Sequence, residues 1–520
     1  MHFTPAVMRK RTEERIDTFD VIVIGCGVSG AAIAYELSQY DLKVAVLEKE
    51  NDIATGATKA NSGIMHAGFD PKPGTLMAKL NVRGSALARV VCRKLDVPYK
   101  ECGAMVVAFN DEEKQILERL YQQGVENGVQ NQEIITGEEA RKLEPNLSGE
   151  VKWALLENDS AIVSPWEFAL ALMETALKNG VQLVLNREVT NLKEENGTWQ
   201  IETKIADGAL LQKEDKKETL FTAKSVVNAA GLFAGQLRDL VLPHTFKTRP
   251  KRGQYYLLDK SEGTRVTRTI FQAPTGRGKG VLVSPTVHGN LIVGPNSEDV
   301  IGNDTATTWE GLDKVSESAR KSVPSIDLSQ NIRNFSGVRA RTDEDDFILE
   351  RHGSYIDAAG ICSPGLSSAL GIGEYIRELL EAWNAESHLL NMKKKENVIT
   401  ERKKIRFKEL SPEQKQELIQ KDPAYAHVVC RCETITEGEI RDALRSPIPP
   451  VSLDGIKRRT GTGMGRCQGG FCGPQIAHIL AEEIGVSETE ILQEGTGSKL
   501  LVGEMAETER LSKAPEGGAK

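Results

Sequence analysis

The sequence predicts an α/β protein with a small helical, cysteine-bearing unit near its C-terminal end, and three observations carry that prediction. A strand, a glycine turn, a helix and a second strand follow one another within residues 19–48 (DVIVIG, CGVSG, AAIAYELSQ, KVAVLE). Residues 250–300 change to short apolar runs divided by Gly and Pro, the pattern of an antiparallel sheet. Four of the eight cysteines fall between positions 430 and 472.

Composition bounds what these elements can build. A chain of 520 residues amounts to roughly three or four domains. The apolar fraction is 39% and the charged fraction 27%, ordinary for a chain that buries a large core. The 66 basic and 74 acidic residues leave −8, which argues against a nucleic-acid partner, because phosphate neutralisation needs a basic face. The opening MHFTPAVMRKRTEER has no apolar run, so no secretory signal is expected. The uncharged stretch over residues 21–35 is too short and too glycine-broken to span a bilayer. Eight cysteines in 520 residues make no disulfide framework, and a reduced, cytoplasmic protein is expected.

In chain order, residues 1–18 are polar, and a loop of small residues (54–68) follows the first α/β unit. Residues 112–128 set Ile116, Leu117, Leu120 and Val125 at helical spacing. Thr136 with Glu139 three later predicts a capping box. A helix over 168–179 leads into the strand VQLVLN, a charged hairpin or loop occupies 213–218, and SVVNAAG is a strand entering a turn. Short strands at 254–259, 281–286 and 290–294 form the antiparallel region. The α/β style returns at 337–384, with a helix over 366–383. The basic stretch 393–408 (KKKENVITERKKIRFK) reads as a solvated linker, with contact to anionic lipid as the other reading. A compact cysteine unit occupies about 425–485, and the tail beyond 495 is polar.

Gly25-Cys26-Gly27-Val28-Ser29-Gly30 matches G-x-G-x-x-G, and here it follows an apolar strand and opens a helix. Glu48 ends the next strand, 23 positions after Gly25, where a carboxylate accepts from ribose hydroxyls. Gly25 makes the tight turn, Gly27 lets a pyrophosphate approach the backbone, and Gly30 lets helix and strand pack closely. The helix N-terminus offers N–H donors to the phosphates. Three features favour FAD over NAD. There is no second glycine motif in a strand–helix context, the later α/β segments are separated from the first by long insertions, and a candidate one-electron carrier follows.

The segments ATKANSGIMHAGFDPKPGTLMAKLNVRG, VVNAAGLFA, GVRA and DAAGICSPGLSSALGIGE resemble those of the D-amino-acid-oxidase-type flavoproteins. Within that group the sequence is most similar to the FAD-dependent glycerol-3-phosphate dehydrogenases and oxidases, with 2-hydroxyglutarate oxidases beside them. The resemblance covers about residues 18–385, and Ser-Gly-x-x-His-Ala-Gly (62–68) is its most specific part. It implies a Rossmann-type FAD domain, discontinuous over 18–100, 160–240 and 335–390, with an inserted antiparallel-sheet substrate domain over 101–159 and 241–334. A linker (391–424), a small helical C-terminal iron–sulfur domain (425–490) and a polar tail (491–520) complete the expected order. The expected cofactor-binding set is Gly25, Gly27, Gly30, Glu48, Thr58, Val189, Gly231, Gly365, Ser367 and Ser368. Val189 falls where this fold places a backbone contact to adenine.

Oxidising an alcohol needs a base for the O–H proton while a hydride moves to flavin N5. Histidine is the side chain suited to that at pH 7. The resemblance assigns the base to His66, in a glycine-rich loop, the other reading being a contact to the flavin or loop backbone. Ser62 is a candidate to bond flavin or substrate, or else makes a turn bond. A phosphate or carboxylate substrate needs a fixed cation, and Arg supplies a bidentate fork. Arg339 matches the family's anion-binding arginine, with an ordinary salt bridge as the alternative. Lys279, with Arg277, adds positive charge from the loop GRGKG or is simply solvated. Ser367 and Ser368 begin a helix whose N–H donors would face the flavin carbonyls, or they are plain caps. Cys362 reads as a small buried residue; some relatives of the wider superfamily attach FAD through cysteine.

Cys430-x-Cys432 and Cys467-x4-Cys472 are separated by 34 residues. Two close thiolate pairs suit a [2Fe-2S] cluster or a zinc ion, and the spacing fits neither plant-type ferredoxin nor zinc ribbons. The unit resembles the bacterioferritin-associated-ferredoxin-like domain, which binds [2Fe-2S]. Thr436 and Glu439 form a capping box after the first pair, and Pro474 starts a helix after the second. Lys457, Arg458 and Arg459 read as a solvated face or as a docking patch for an acidic electron partner.

The expected function is FAD-dependent oxidation of sn-glycerol 3-phosphate, with single electrons leaving through the cluster. The expected partners are a small anionic substrate and an electron-acceptor protein or quinone-linked subunit, through which any membrane contact is made. The alternatives are an L-2-hydroxyglutarate or other 2-hydroxy- or amino-acid dehydrogenase or oxidase on the same scaffold, and an iron–sulfur carrier with an inactive flavin domain.

Overall fold

The computed structural model describes residues 17–205, 218–243, 246–274 and 280–503. Arg277, Lys279 and most of the charged segment expected at 213–218 lie outside the described residues. The chain forms two compact units. One takes in most of the first 405 residues and the segment Gly465–Gln468, and the other Arg406–Met464 and residues from Gly469 onward.

The first unit is built on two large sheets. In the eight-stranded sheet, Asp17–Ile24 lies between Glu218–Asn228 and Val44–Leu47, all parallel. Gln182–Val184 and Tyr355–Ala359 extend the parallel core on either side. Glu188–Glu195 and Thr198–Lys204 add an antiparallel meander. Val21, Ile22, Val23, Ala45 and Val46 are fully buried, as a parallel strand covered on both faces requires. Helices Val28–Leu37, Leu76–Lys94 and Gly365–Ser387 pack together closely. A Cβ on Gly84 would lie 2.2 Å from the Ser367 carbonyl oxygen, so two of these backbones touch.

The nine-stranded sheet draws strands from two distant stretches. Ala104–Ala108, Gln132–Thr136 and Trp153–Glu157 come from the first. Lys251–Leu258, Thr269–Gln272, Leu282–Pro285, Leu291–Gly294, Glu298–Asp299 and Asn331–Arg339 come from the second. Every pairing is antiparallel except Thr269–Gln272 with Ala104–Ala108, where the two stretches meet. The helix expected over 112–128 is Asp111–Asn127, capped by Asn110 and ended at Gly128, and the Thr136–Glu139 capping box is formed.

The basic stretch read as a solvated linker is a strap instead. Three helices end at Ser38, Leu95 and Asn179. Lys395 Nζ donates to the Ser38 and Asn179 carbonyls at 3.1 and 2.6 Å, and Arg402 donates to the Leu95 carbonyl at 3.3 Å. The cations thus meet orphan carbonyls at the negative ends of three helix dipoles. Arg402 also pairs with buried Glu174 at 2.6 Å, and Lys404 with Glu167 at 3.0 Å. Arg402→Ala strands the Glu174 carboxylate and is expected to cost this unit about 3 kcal/mol. Thermal unfolding checks it, and an unshifted transition would show that the strap contributes no stability.

The second unit begins with a short 3-10 turn, Phe407–Glu409, followed by helix Pro412–Lys421 and a second short turn, Pro423–Ala426. A hairpin of Val428–Cys430 and Ile435–Thr436 follows, with helices Glu437–Leu444, Leu453–Thr460 and Gly473–Ile484. Ile440, Ile456, Ile476, Leu480 and Ile491 form its core. The Thr436–Glu439 capping box is formed, and Pro474 lies in the first turn of its helix. Arg458 and Arg459 form neither a solvated face nor a docking patch, since each is 5% exposed. Arg458 pairs with Glu494 at 2.9 Å, and Arg459 donates to the carbonyls of Ile448 and Gly455. Among the described residues, no helix is long and apolar enough to cross a membrane.

Candidate active site

A cavity of about 890 Å³ opens in the first unit at the carboxyl ends of its parallel strands. Gly25, Glu48, Ala229–Gly231 and Gly360–Cys362, each just past such a strand, line it. Carboxyl ends of an open α/β sheet are where this architecture binds ligands.

One end is a nucleotide cradle. Gly25 has φ +98°, and a Cβ there would lie 2.6 Å from the Ala229 carbonyl oxygen. A Cβ on Gly30 would lie 2.0 Å from the Gly25 carbonyl oxygen, so strand turn and helix meet with no room for a side chain. The helix Val28–Leu37 begins at Gly27 with no side-chain cap from that residue and no acid in its first turn. Its first residues face the cavity, as an anion site at a helix N-terminus requires. Thr58 Oγ1 accepts from the Val28 N–H at 2.9 Å and fixes the approach of the loop. Glu48 accepts from the N–H groups of Cys26 (2.7 Å) and Glu50 (3.0 Å), so it braces the glycine turn as well as facing the cavity. Burial pushes its carboxyl above the usual range, and those two donors offset part of the rise. Val189 and Gly231 line the same cavity, Gly231 with φ +56°.

The other end gathers Ser62, His66, Tyr255, Phe271, Asn296 and Arg339. His66 follows the short strand Ile64–Met65, which pairs with Ala161–Val163. Asn81, fully buried, donates to the His66 carbonyl at 2.8 Å, and the His66 ring faces Phe271 at 5.7 Å. Ser62 Oγ lies 3.3 Å from the Tyr255 hydroxyl, whose ring stacks on Phe335 at 4.7 Å. Arg339 ends its strand against Gly253, where a Cβ would lie 2.8 Å from the guanidinium. Among the described residues the guanidinium's only hydrogen bond is a 3.5 Å contact to the Asn296 carbonyl, with no ion pair. The salt-bridge alternative for Arg339 therefore finds no partner there.

Ser367 and Ser368 differ from expectation. Both are buried, and their hydroxyls lie 3.0 Å from the Pro364 carbonyl; only Gly365 and Leu366 of that helix line the cavity. Ser367 Oγ also reaches Asn81 Oδ1 at 3.1 Å, which ties it to the His66 loop. Cys362 is half-buried on the cavity wall rather than in the core. Sequence reasoning missed Tyr255 and Asn81. A lone Asn in the apolar run LMAKLNVRG was a faint signal, and Tyr255 gave none.

In the second unit, Cys430 and Cys472 are buried with their sulfurs in contact, while Cys432 is exposed. The Cys472 contact and N–H groups of Gly463 and Glu433 hold the Cys430 thiol down to about 6. Cys472 is itself the N-cap of helix Gly473–Ile484. Cys467, in the Gly465–Gln468 segment of the first unit, is half-buried. Among the described residues, no three His, Cys, Asp or Glu side chains converge on a single point. The residues present fit a dinucleotide, through a glycine cradle and a helix start that faces the cavity, and they offer a cluster one buried pair of thiols in contact.

The family described as FAD dependent oxidoreductase matches residues 20–379, and the BFD-like [2Fe-2S] binding domain matches residues 428–482. A glycerol 3-phosphate dehydrogenase of Caloramator mitchellensis is 46% identical over 490 residues, 93% of this chain and 98% of that one. A glycerol 3-phosphate oxidase of Mycoplasma genitalium is 33% identical, over 74% of this chain and 97% of its own. The solved structure of a dithionite-reduced L-α-glycerophosphate oxidase from Mycoplasma pneumoniae, with FAD bound, matches with a TM-score of 0.67 at 31% identity. That match covers 74% of this chain and 98% of the oxidase.

Proposed function

The chain belongs to the FAD-dependent oxidoreductase family, as a homologue of glycerol 3-phosphate dehydrogenases with a [2Fe-2S] domain, and from that premise we propose that it oxidises sn-glycerol 3-phosphate to dihydroxyacetone phosphate. The observation that carries the proposal is Arg339, whose guanidinium has no ion pair among the described residues and lines the same cavity as His66. A fork of donors free of carboxylates suits a dianionic phosphate.

Arg339 holds the phosphate. Ser62 and Tyr255 orient the secondary hydroxyl, and His66 takes its proton as the carbon-bound hydrogen departs with its electron pair. Bound FAD supplies the hydride acceptor, and the cluster a one-electron carrier toward a protein or quinone acceptor. Gly25, Gly27 and Gly30, with Glu48, Thr58, Val189, Gly231 and Gly365, form the dinucleotide contacts. Ser367 acts through Asn81 on the His66 loop, and Ser368 anchors the start of its helix. Cys430, Cys432, Cys467 and Cys472 are the cluster ligands.

Anaerobic incubation with one equivalent of glycerol 3-phosphate is expected to yield dihydroxyacetone phosphate and to bleach the flavin, while L-2-hydroxyglutarate leaves the spectrum unchanged. Bleaching by the hydroxy acid alone would overturn the substrate assignment.

A further inference from the structure

Cys430 and Cys472 are 1% and 2% exposed, yet the residue after the first and the residue before the second are exposed. The sulfur contact brings residues 430–434 next to 470–474. Arg431, just after Cys430, is exposed, and among the described residues it has no ion pair. Phe471, just before Cys472, is 89% exposed, the most exposed aromatic side chain among the described residues. Pro474 and Cys432 are exposed with them. Neither segment shows an exposed carboxylate, because its one acid, Glu433, is 8% exposed. The core of this unit is complete without the Phe471 ring. An aromatic side chain held out in water has the form of an interface anchor, a large rigid surface with little side-chain entropy to lose on contact.

Resting on the reading that electrons leave through the cysteine unit, we propose that residues 431–434 and 470–474 dock an electron-accepting protein whose face is acidic around an apolar notch. Phe471 fills the notch and Arg431 meets the acidic rim. Charge selects this occupant. A second copy of the chain, docked through the same face about a two-fold axis, would set Arg431 against its own equivalent. A single arginine falls short of the polybasic cluster that holds a protein on anionic lipid. Each substrate gives up two electrons, so the partner takes one in each of two encounters, and no proton or further reactant is needed.

The test uses the full holoenzyme, with the soluble domain of cytochrome b5 as an acidic one-electron probe and cytochrome c as its basic counterpart. Affinity is measured with both proteins oxidised, so it does not depend on turnover. Wild type is expected to bind cytochrome b5 more tightly than cytochrome c, and Phe471→Ser to weaken that binding at least tenfold. Arg431→Glu is expected to reverse the preference and to remove the salt dependence. Turnover with a small dye acceptor and the thermal transition are expected to stay at the parent values in both variants. Unchanged cytochrome b5 affinity in both variants, a wild-type preference for cytochrome c, or dye turnover falling in step would overturn the docking site. So would loss of binding to phosphatidylserine vesicles in Phe471→Ser. A cluster that stays oxidised when wild type meets substrate would instead defeat the electron-exit reading, while the affinities still report on docking.

Discussion

His66→Ala is expected to slow substrate-driven flavin bleaching by about 10²–10⁴-fold, the usual contribution of a positioned general base. Substrate affinity should change little, because the anion is held elsewhere, at Arg339. The FAD spectrum should also survive. The loop is anchored through the His66 carbonyl to Asn81 and through the strand pairing of Ile64 and Met65, and none of these uses the imidazole. Rapid anaerobic mixing separates the two quantities, and added imidazole should restore part of the lost rate. A variant bleaching at the parent rate would remove His66 from the chemistry and leave it as a wall residue against Phe271.

Arg339→Ala is expected to raise the KM for glycerol 3-phosphate by about 100-fold, the scale of a lost charge-assisted fork. The fall in kcat should be smaller. Arg339→Lys should recover only part of the affinity, since an ammonium offers a point charge in place of two parallel donors. Because the guanidinium has no carboxylate partner among the described residues, its removal strands no buried charge. The thermal transition should therefore stay in place, in contrast to Arg402→Ala. A KM within a few-fold of the parent would show that the phosphate is held by other groups.

What the sequence made legible is what local chemistry determines. The glycine turn and Glu48 could be placed because close backbone approach demands glycine at fixed offsets from a strand end. The helices at 111–127 and 437–444 announced themselves through caps and apolar spacing. Contacts made across the fold were not legible. Tyr255 reaches Ser62 from a strand 193 residues away, and Asn81 meets Ser367 across 286 residues. Ser367 and Ser368 sit where expected along the chain, but their hydroxyls turn back to the Pro364 carbonyl at the start of their own helix. Charge runs misled for the same reason. The stretch 393–408 looks solvated until three helix ends supply carbonyls for its cations, and Arg458 and Arg459 look exposed until Glu494, Ile448 and Gly455 surround them. The parallel seam joining Ala104–Ala108 to Thr269–Gln272 depends on chain return, which no local pattern encodes.

The most direct measurement follows two signals after anaerobic mixing of the holoenzyme with glycerol 3-phosphate in a single turnover: visible flavin absorbance, and the electron paramagnetic resonance of the cluster in samples frozen at intervals. The flavin should bleach first, and the reduced-cluster signal should then grow as flavin absorbance partly returns. A flavin that bleaches while the cluster stays silent, or a spectrum that glycerol 3-phosphate does not alter, would contradict an enzyme that takes a hydride from this substrate and releases its electrons singly.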